Sequence, residues 1–263
     1  MRKHITLIAV FGGALAASNS FGQTGPNSTY YLGGGAILWA IHGLGDTMVN
    51  SVSSDEYNIA VDGDIRTTAE RSSFPGTQYD LSMNPTGTTY GGTWAGLFDG
   101  TTDGVKNYTV DYDTDSVLVF DRDWQNGQTL FSLDSSAHQF LGITYDGQGG
   151  LYVSDWAGTM VHHYTMNGVE TGSFDVGYDS ITCLAMDYTT GTLWMGSQNH
   201  KGTFDEYMTD GTHLQTVTYG GINPPNTLGG EFDLAAAVPE PASFAVLGLG
   251  LGAFALLRRK RAK

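Results

Sequence analysis

The chain repeats itself every 42 residues or so, and this constrains its fold more than any other feature. The stretches TQYDLSMNPTGTTY, LVFDRDWQNGQTLFSL, MVHHYTMNGVETGSF and GTFDEYMTDGTHLQTVTY share an alternating strand, a Met or Trp, a turn containing Gly and a second alternating strand. Met83, Trp124, Met166 and Met208 anchor these copies at spacings of 41, 42 and 42. One period earlier, around Ile41, ILWAIHGLGDTMVNSVS repeats strand, Gly turn and strand, which makes five copies.

A second series interleaves with the first. YNIAVD, AGLFD, LGITYD, TCLAMD and GGEFDLA are apolar strands carrying Asp62, Asp99, Asp146, Asp187 and Asp233, at intervals of 37, 47, 41 and 46. After two of them come GQGGLYVSDW and YTTGTLWMGSQ, a Gly turn leading into a further strand. Each unit then holds four antiparallel strands in 40-odd residues, the make-up of one β-propeller blade. The spacing predicts an all-β propeller of five four-stranded blades, with six or an imperfect ring left open by the short second unit and the unaligned loop GGINPPNT. The first unit lacks an inner strand, and the orphan strand GGEFDLA at residues 229–235 would supply it, closing the ring and hiding a sheet edge.

In their turn residues the units resemble the NHL and YVTN-like propeller repeats, most clearly in LGITYDGQGGLYVSDWAGTMVHHYTMNGVETGSF. That resemblance is architectural and implies no particular activity.

The two ends carry addresses. Arg2 and Lys3, an apolar run from Ile5 to Ala17 and then small polar residues have the layout of a secretory signal peptide, with cleavage after Ala16 or near Gln23. At the other end Val238-Pro239-Glu240-Pro241 precedes 16 uncharged residues, Ala242 to Leu257, and then Arg258, Arg259, Lys260 and Arg261. As a helix that run would cover roughly 24 Å, and a basic cluster behind it stays cytoplasmic. The VPEP tetrapeptide, the short Gly- and Leu-rich segment and the basic cluster together resemble the PEP-CTERM sorting signal. The resemblance implies an exosortase as processing partner, a transient membrane anchor in the C-terminal helix, and release to the cell envelope or extracellular matrix. The expected division is a signal peptide at 1–23, a propeller at 24–237 and a sorting signal at 238–263.

With both ends set aside, five basic and 26 acidic residues remain, a net charge near −21. Such a body repels phosphate backbones, which argues against nucleic-acid binding. Its one cysteine, Cys183 in ITCLAM, reads as a buried structural thiol. Asp111, Asp113 and Asp115 have the alternating oxygens that begin a calcium loop, but Ser116 and Arg122 stand where an EF-hand needs Gly and Glu. A looser Ca²⁺ site involving Asp121 or Asp123 and a solvated acidic hairpin are the two readings, and no other cofactor is expected. His162 and His163 are adjacent on a strand and so point to opposite faces. The repeated aspartates precede turns that Asp side chains commonly cap. Trp94 and Trp156, in Gly-flanked loops, are the candidate ligand-binding residues, because an aromatic face stacks on a sugar ring.

The sequence thus predicts an exported, non-catalytic surface or matrix propeller, and the resemblance of its tail to the sorting signal implies an exopolysaccharide or another matrix component as partner. The alternative is a secreted glycoside hydrolase or lyase using carboxylates of the central channel.

Overall fold

A computed structural model describes residues 23–34, 36–51, 56–69, 76–91, 96–134, 139–220 and 227–237. The expected signal peptide and C-terminal apolar helix lie outside these residues. The first blade takes β1 (Tyr30–Gly34), β2 (Ile37–His42) and β3 (Asp46–Ser51). The second takes β4 (Glu56–Val61), β5 (Ile65–Ala69), β6 (Gly76–Tyr79) and β7 (Pro85–Tyr90), and the third β8 (Leu97–Thr102), β9 (Lys106–Asp111), β10 (Ser116–Asp121) and β11 (Gln128–Ser132). The fourth takes β12 (Phe140–Tyr145), β13 (Gly150–Asp155), β14 (Met160–Thr165) and β15 (Glu170–Asp175), and the fifth β16 (Ile181–Asp187), β17 (Thr192–Ser197), β18 (Thr203–Met208) and β19 (His213–Thr218).

The last strand, β20 (Gly229–Phe232), pairs antiparallel with β1 through Tyr30 to Phe232 and Leu32 to Gly230, so the first sheet has the order β20-β1-β2-β3. The protein is therefore a five-bladed propeller closed by its C-terminal strand, as the orphan segment predicts.

Each strand alternates its side chains between the two neighbouring blades, and the core is accordingly a ring of five apolar clusters, one per blade interface. Tyr30 and Leu32 pack toward Cys183, Trp194 and Phe204 of the fifth blade, whereas Tyr31 between them packs toward Ile59 and Ile65 of the second. In β10, Val117 and Val119 meet Phe140 and Val153, while Leu118 and Phe120 meet Ala60 and Tyr90. Burial on both faces explains why the strands read as near-continuous apolar runs.

Two registers differ from the sequence reading. In the turns joining third and fourth strands, Met83, Trp124, Gly168 and Gly211 are the equivalent residues: each donates its N–H to the carbonyl three residues back (Asp80, Asp121, Thr165 and Met208), and each has a positive φ, of 62, 57, 77 and 86°. Met166 and Met208 thus sit two and three residues away from the position that Met83 and Trp124 occupy. The physical reason is an exchange of bulk. A Cβ on Gly168 or Gly211 would come within 2.8 Å of Phe131 or 2.7 Å of Phe174, aromatics supplied by the preceding blade's outer strand. Met83 and Trp124 occupy the same turn position with their own side chains buried between blades, Trp124 donating its indole N–H to the Arg66 carbonyl at 3.3 Å.

The second correction concerns the aspartates. Asp103, not Asp99, is the turn residue of the third blade: its carboxylate accepts the N–H groups of Val105 (2.8 Å) and Lys106 (2.7 Å). Asp146 accepts from Gln148 and Gly150, Asp187 from Thr189, and Asp233 from Ala235 and Gly63. Asp62 instead pairs with Arg122. The true series Asp62, Asp103, Asp146, Asp187 and Asp233 has intervals of 41, 43, 41 and 46, more even than the one built on Asp99.

The exchange of bulk can be measured by thermal unfolding. Gly168→Ala, strained at positive φ and crowded against Phe131, should cost about 1–2 kcal/mol. Trp124→Ala should cost more, about 3–5 kcal/mol, because it leaves a cavity. Unchanged melting of both variants would contradict the packing.

Candidate functional site: a sealed axis beneath an aromatic mouth

The innermost strands β4, β8, β12, β16 and β20 each pair on one side only, so their other edges face the propeller axis with unpaired backbone groups. Asp99 meets that demand. Its side chain, fully buried, accepts the N–H groups of Gly100 (3.0 Å) and Gly230 (2.9 Å) on Oδ1 and those of Ile143 (2.9 Å) and Leu184 (3.0 Å) on Oδ2. One carboxyl therefore ties four of the five blades at the axis. Burial pushes its pKa up, against the downward pull of the four N–H donors.

One layer further along the axis, Thr101 accepts the Tyr145 N–H and Thr144 accepts the Met186 N–H, both at 2.9 Å. Thr144 in turn donates to Glu231 at 3.2 Å. Glu231 is fully buried, and burial raises its carboxyl well above the ordinary range.

On the other side of Asp99 the axis opens. Tyr57, Phe98, Leu141 and Leu228, each one position before the Asp99 level of its own blade, line a cavity of about 280 Å³ together with Tyr112, Trp156 and Gln198. Phe98 lies 6.1 Å from Tyr57 and 5.8 Å from Tyr112, ring centre to ring centre, and Tyr112 lies 5.7 Å from Trp156. The wall is held in place by polar contacts. Tyr112 Oη donates to Gln139 Oε1 at 2.8 Å, and Trp156 takes hydrogen bonds at both backbone ends, from its N–H to the Gln139 carbonyl and from the Ser180 N–H to its own carbonyl. Its indole N–H points to Gln198 Oε1 at 3.4 Å. An aromatic bowl with one amide in its wall can stack on planar or ring-shaped apolar faces and hydrogen-bond their edges; among the described residues no lysine or arginine lines it.

The expected site residues distribute as follows. Trp156 is in the bowl; Trp94 lies outside the described residues. Asp111, Asp113 and Asp115 sit on the β9–β10 hairpin, where Asp111 accepts the N–H groups of Asp113 and Thr114 and Asp115 that of Phe140. Among the described residues no group of three His, Cys, Asp or Glu side chains is disposed to hold a metal ion. His162 faces Asp155 and Glu170, while His163 faces Asp146 on the other side of the strand. Cys183 is buried, and its thiol is pushed up to about 12. The sequence reading missed Tyr57, Phe98, Tyr112, Leu141, Gln198 and Leu228. Counting five residues back from each true turn aspartate gives Tyr57, Phe98, Leu141, Thr182 and Leu228, a signal that the Asp99 register concealed.

Residues 237–261 match the PEP-CTERM protein-sorting motif. The C-terminus is a PEP-CTERM sorting signal. It implies an exported protein processed by an exosortase and transiently anchored in the membrane by its C-terminus. Among the described residues no helix is long and apolar enough to cross a membrane. No curated protein matches the chain in sequence. Among solved structures, a chain of a nidogen/laminin complex matches with a TM-score of 0.55 at 12% identity, over 79% of this chain and 99% of that one. A virginiamycin B lyase from Staphylococcus aureus (0.44, 12% identity, 70% and 67% covered) and a glutaminyl cyclase from Myxococcus xanthus (0.43, 16%, 71% and 76%) are more distant in shape. At these identities the likeness concerns the fold and carries no activity to this chain.

The axial carboxyls give a pH prediction. A carboxyl whose pKa is raised by folding binds more protons folded than unfolded, so the stability it contributes is full below the unfolded value of about 4.3 and is lost as pH rises toward the folded one. Glu231→Gln should remove part of that slope: its denaturation midpoint should gain on the parent between pH 4 and pH 7. A constant difference would mean that Glu231 titrates normally. Asp99→Asn, which leaves the edge N–H groups with one acceptor oxygen, should cost about 2–4 kcal/mol at pH 4 and less at pH 7, because burial raises the Asp99 carboxyl that it replaces.

Proposed function

We propose that the exported body is a non-catalytic binding module that holds a polysaccharide of the cell envelope or extracellular matrix in the aromatic mouth. The observation that carries this reading is the Phe98–Tyr112–Trp156 wall, fixed above a sealed axis. Sugar rings offer C–H faces for such a wall and hydroxyls for Gln198. With no cation among the described lining residues and Asp113 exposed on the adjoining hairpin, the mouth favours uncharged chains over uronate- or phosphate-bearing ones.

The competing reading, a glycoside hydrolase or lyase, requires two carboxyls about 5–9.5 Å apart and open to substrate. Asp99 and Glu231 are both enclosed, and Asp103, Asp146, Asp187 and Asp233 are bound to backbone N–H groups of turns. This favours the binder.

Binding of the native host's polysaccharide, followed by affinity electrophoresis or calorimetry, tests the reading. Trp156→Ala and Tyr112→Ala should each weaken it by about tenfold, roughly 1.4 kcal/mol, without lowering the melting temperature to match. Calcium, suggested by the spacing of Asp111, Asp113 and Asp115, enters as an added or chelated arm. Retained affinity in both variants would sink the mouth as the site, and the appearance of new reducing or unsaturated chain ends would favour the enzyme.

Delivery is tested by mass spectrometry of the body recovered from culture medium or matrix. A species ending near Val238 to Pro241, present only when the host has its exosortase, is expected. An intact tail in the membrane fraction of strains with and without the enzyme would make the segment a permanent anchor.

A further inference from the structure

Strand direction gives the propeller two distinct ends. The inner strands begin at the aromatic mouth and end at the opposite face, where the first-to-second and third-to-fourth strand turns also lie. On that opposite face β20 ends, and the chain makes one 3₁₀ turn, Leu234–Ala237, in which Ala236 donates to the Asp233 carbonyl. This turn is at the centre of the face. Asp233 accepts the Gly63 N–H from the second blade's turn, and Leu234 Cδ2 lies 3.6 Å from where a Cβ on Gly104, in the third blade's turn, would stand.

Six large apolar side chains are exposed among the described residues, and five of them are on this face. Leu44, Leu81 and Val169 are in third-to-fourth turns, Met208 closes the strand before another, and Val105 is in a first-to-second turn; they are between 36% and 70% exposed. They stand among turn aspartates such as Asp80, Asp146 and Asp210. The cations Lys106 and Arg122 on the same face are already paired with Asp121 and Asp62.

We infer that this turn face is a docking surface for the bilayer while the protein is anchored, with Leu44, Leu81, Val105, Val169 and Met208 touching lipid and the aromatic mouth turned outward. The inference rests on the anchoring role of the C-terminal signal, and the length of chain beyond the structure supplies the argument. From Ala237 to the first residue of the apolar run, Ala242, is five residues, at most about 17 Å fully extended. A tether that short, leaving from the centre of a face, cannot let the opposite face meet the membrane. Apolar turn tips gain from entering the interfacial region. Carboxylates between them are repelled by anionic lipid, so the surface suits uncharged or zwitterionic headgroups. The sorting tetrapeptide starts at Val238, directly after the turn, and so reaches its processing enzyme at this same face.

The test uses the full-length chain reconstituted in phosphatidylcholine vesicles carrying a headgroup-level quencher. Buried Cys183 can remain, because it is inaccessible to labelling. Fluorophores are placed on Leu81→Cys and Val169→Cys, and on Asp113→Cys at the mouth side. The two turn-face probes should be quenched several-fold more than the mouth probe, and the excess should vanish in a chain ending at Ala237. Flotation separates the two ideas: a chain that floats with the vesicles but quenches equally at all three positions overturns the orientation alone. One that does not float overturns the anchoring on which it rests.

Discussion

Everything in this fold turns on how five unpaired strand edges are accommodated at one axis. A propeller leaves only short outer edges on its blades, but closing the ring gathers the inner edges where water has little access, and buried N–H groups left without acceptors are costly. Asp99 resolves this with two oxygens for four donors, from its own blade and three others. The neighbouring layer repeats the device with Thr101 and Thr144, each accepting an N–H from the next blade. These contacts join residues 44, 85 and 131 positions apart from a single side chain, so the axis forms only when the ring is closed.

The same solution decides where chemistry can occur. A carboxyl saturated by backbone donors cannot also serve as an acid or nucleophile, and Glu231 behind it is held by Thr144 and the Phe232 N–H. The axis is spent on stability, and the open cavity lies at the mouth, beginning one residue earlier on the inner strands. In the second and third blades that single step changes the chemistry from amide and carboxyl to aromatic: Asn58 and Asp99 at one level, Tyr57 and Phe98 at the next.

Architecture was legible in the sequence because it is written in a repeated quantity. Four-strand units and closure by residues 229–235 follow from period and turn chemistry, which are local; the same period favours five blades, although the short second unit leaves six open and only the five sheets decide. The sorting signal was legible for a similar reason, three features in fixed order. What failed was register at single positions. AGLFDGTTDG offers two aspartates four residues apart, and the first fits the apolar strand pattern as well as the second fits the turn. Only contacts to residues 143, 184 and 230 separate the carboxyl at the axis from the one in the turn. Likewise Met83 and Met166 look equivalent by residue type, yet the turn's positive φ assigns Met83 the place of Gly168, where Phe131 of the preceding blade leaves no room for a Cβ. The bowl was invisible as a unit, since its members come from every blade and no short stretch contains more than two of them.

The two faces then divide the protein's tasks in a way that the chain direction imposes. Inner strands must all run from mouth to turn face, and the strand that closes the ring must run with them, so a C-terminal address appended after closure leaves from the turn face. A ring closed instead by an N-terminal inner strand would end on an outer strand, at the rim and on the side of the mouth. Closure by β20 thus places the tail at the centre of the face opposite the aromatic wall. The tail thus leaves from the side away from Tyr112, Trp156 and the Asp99 layer that supports them.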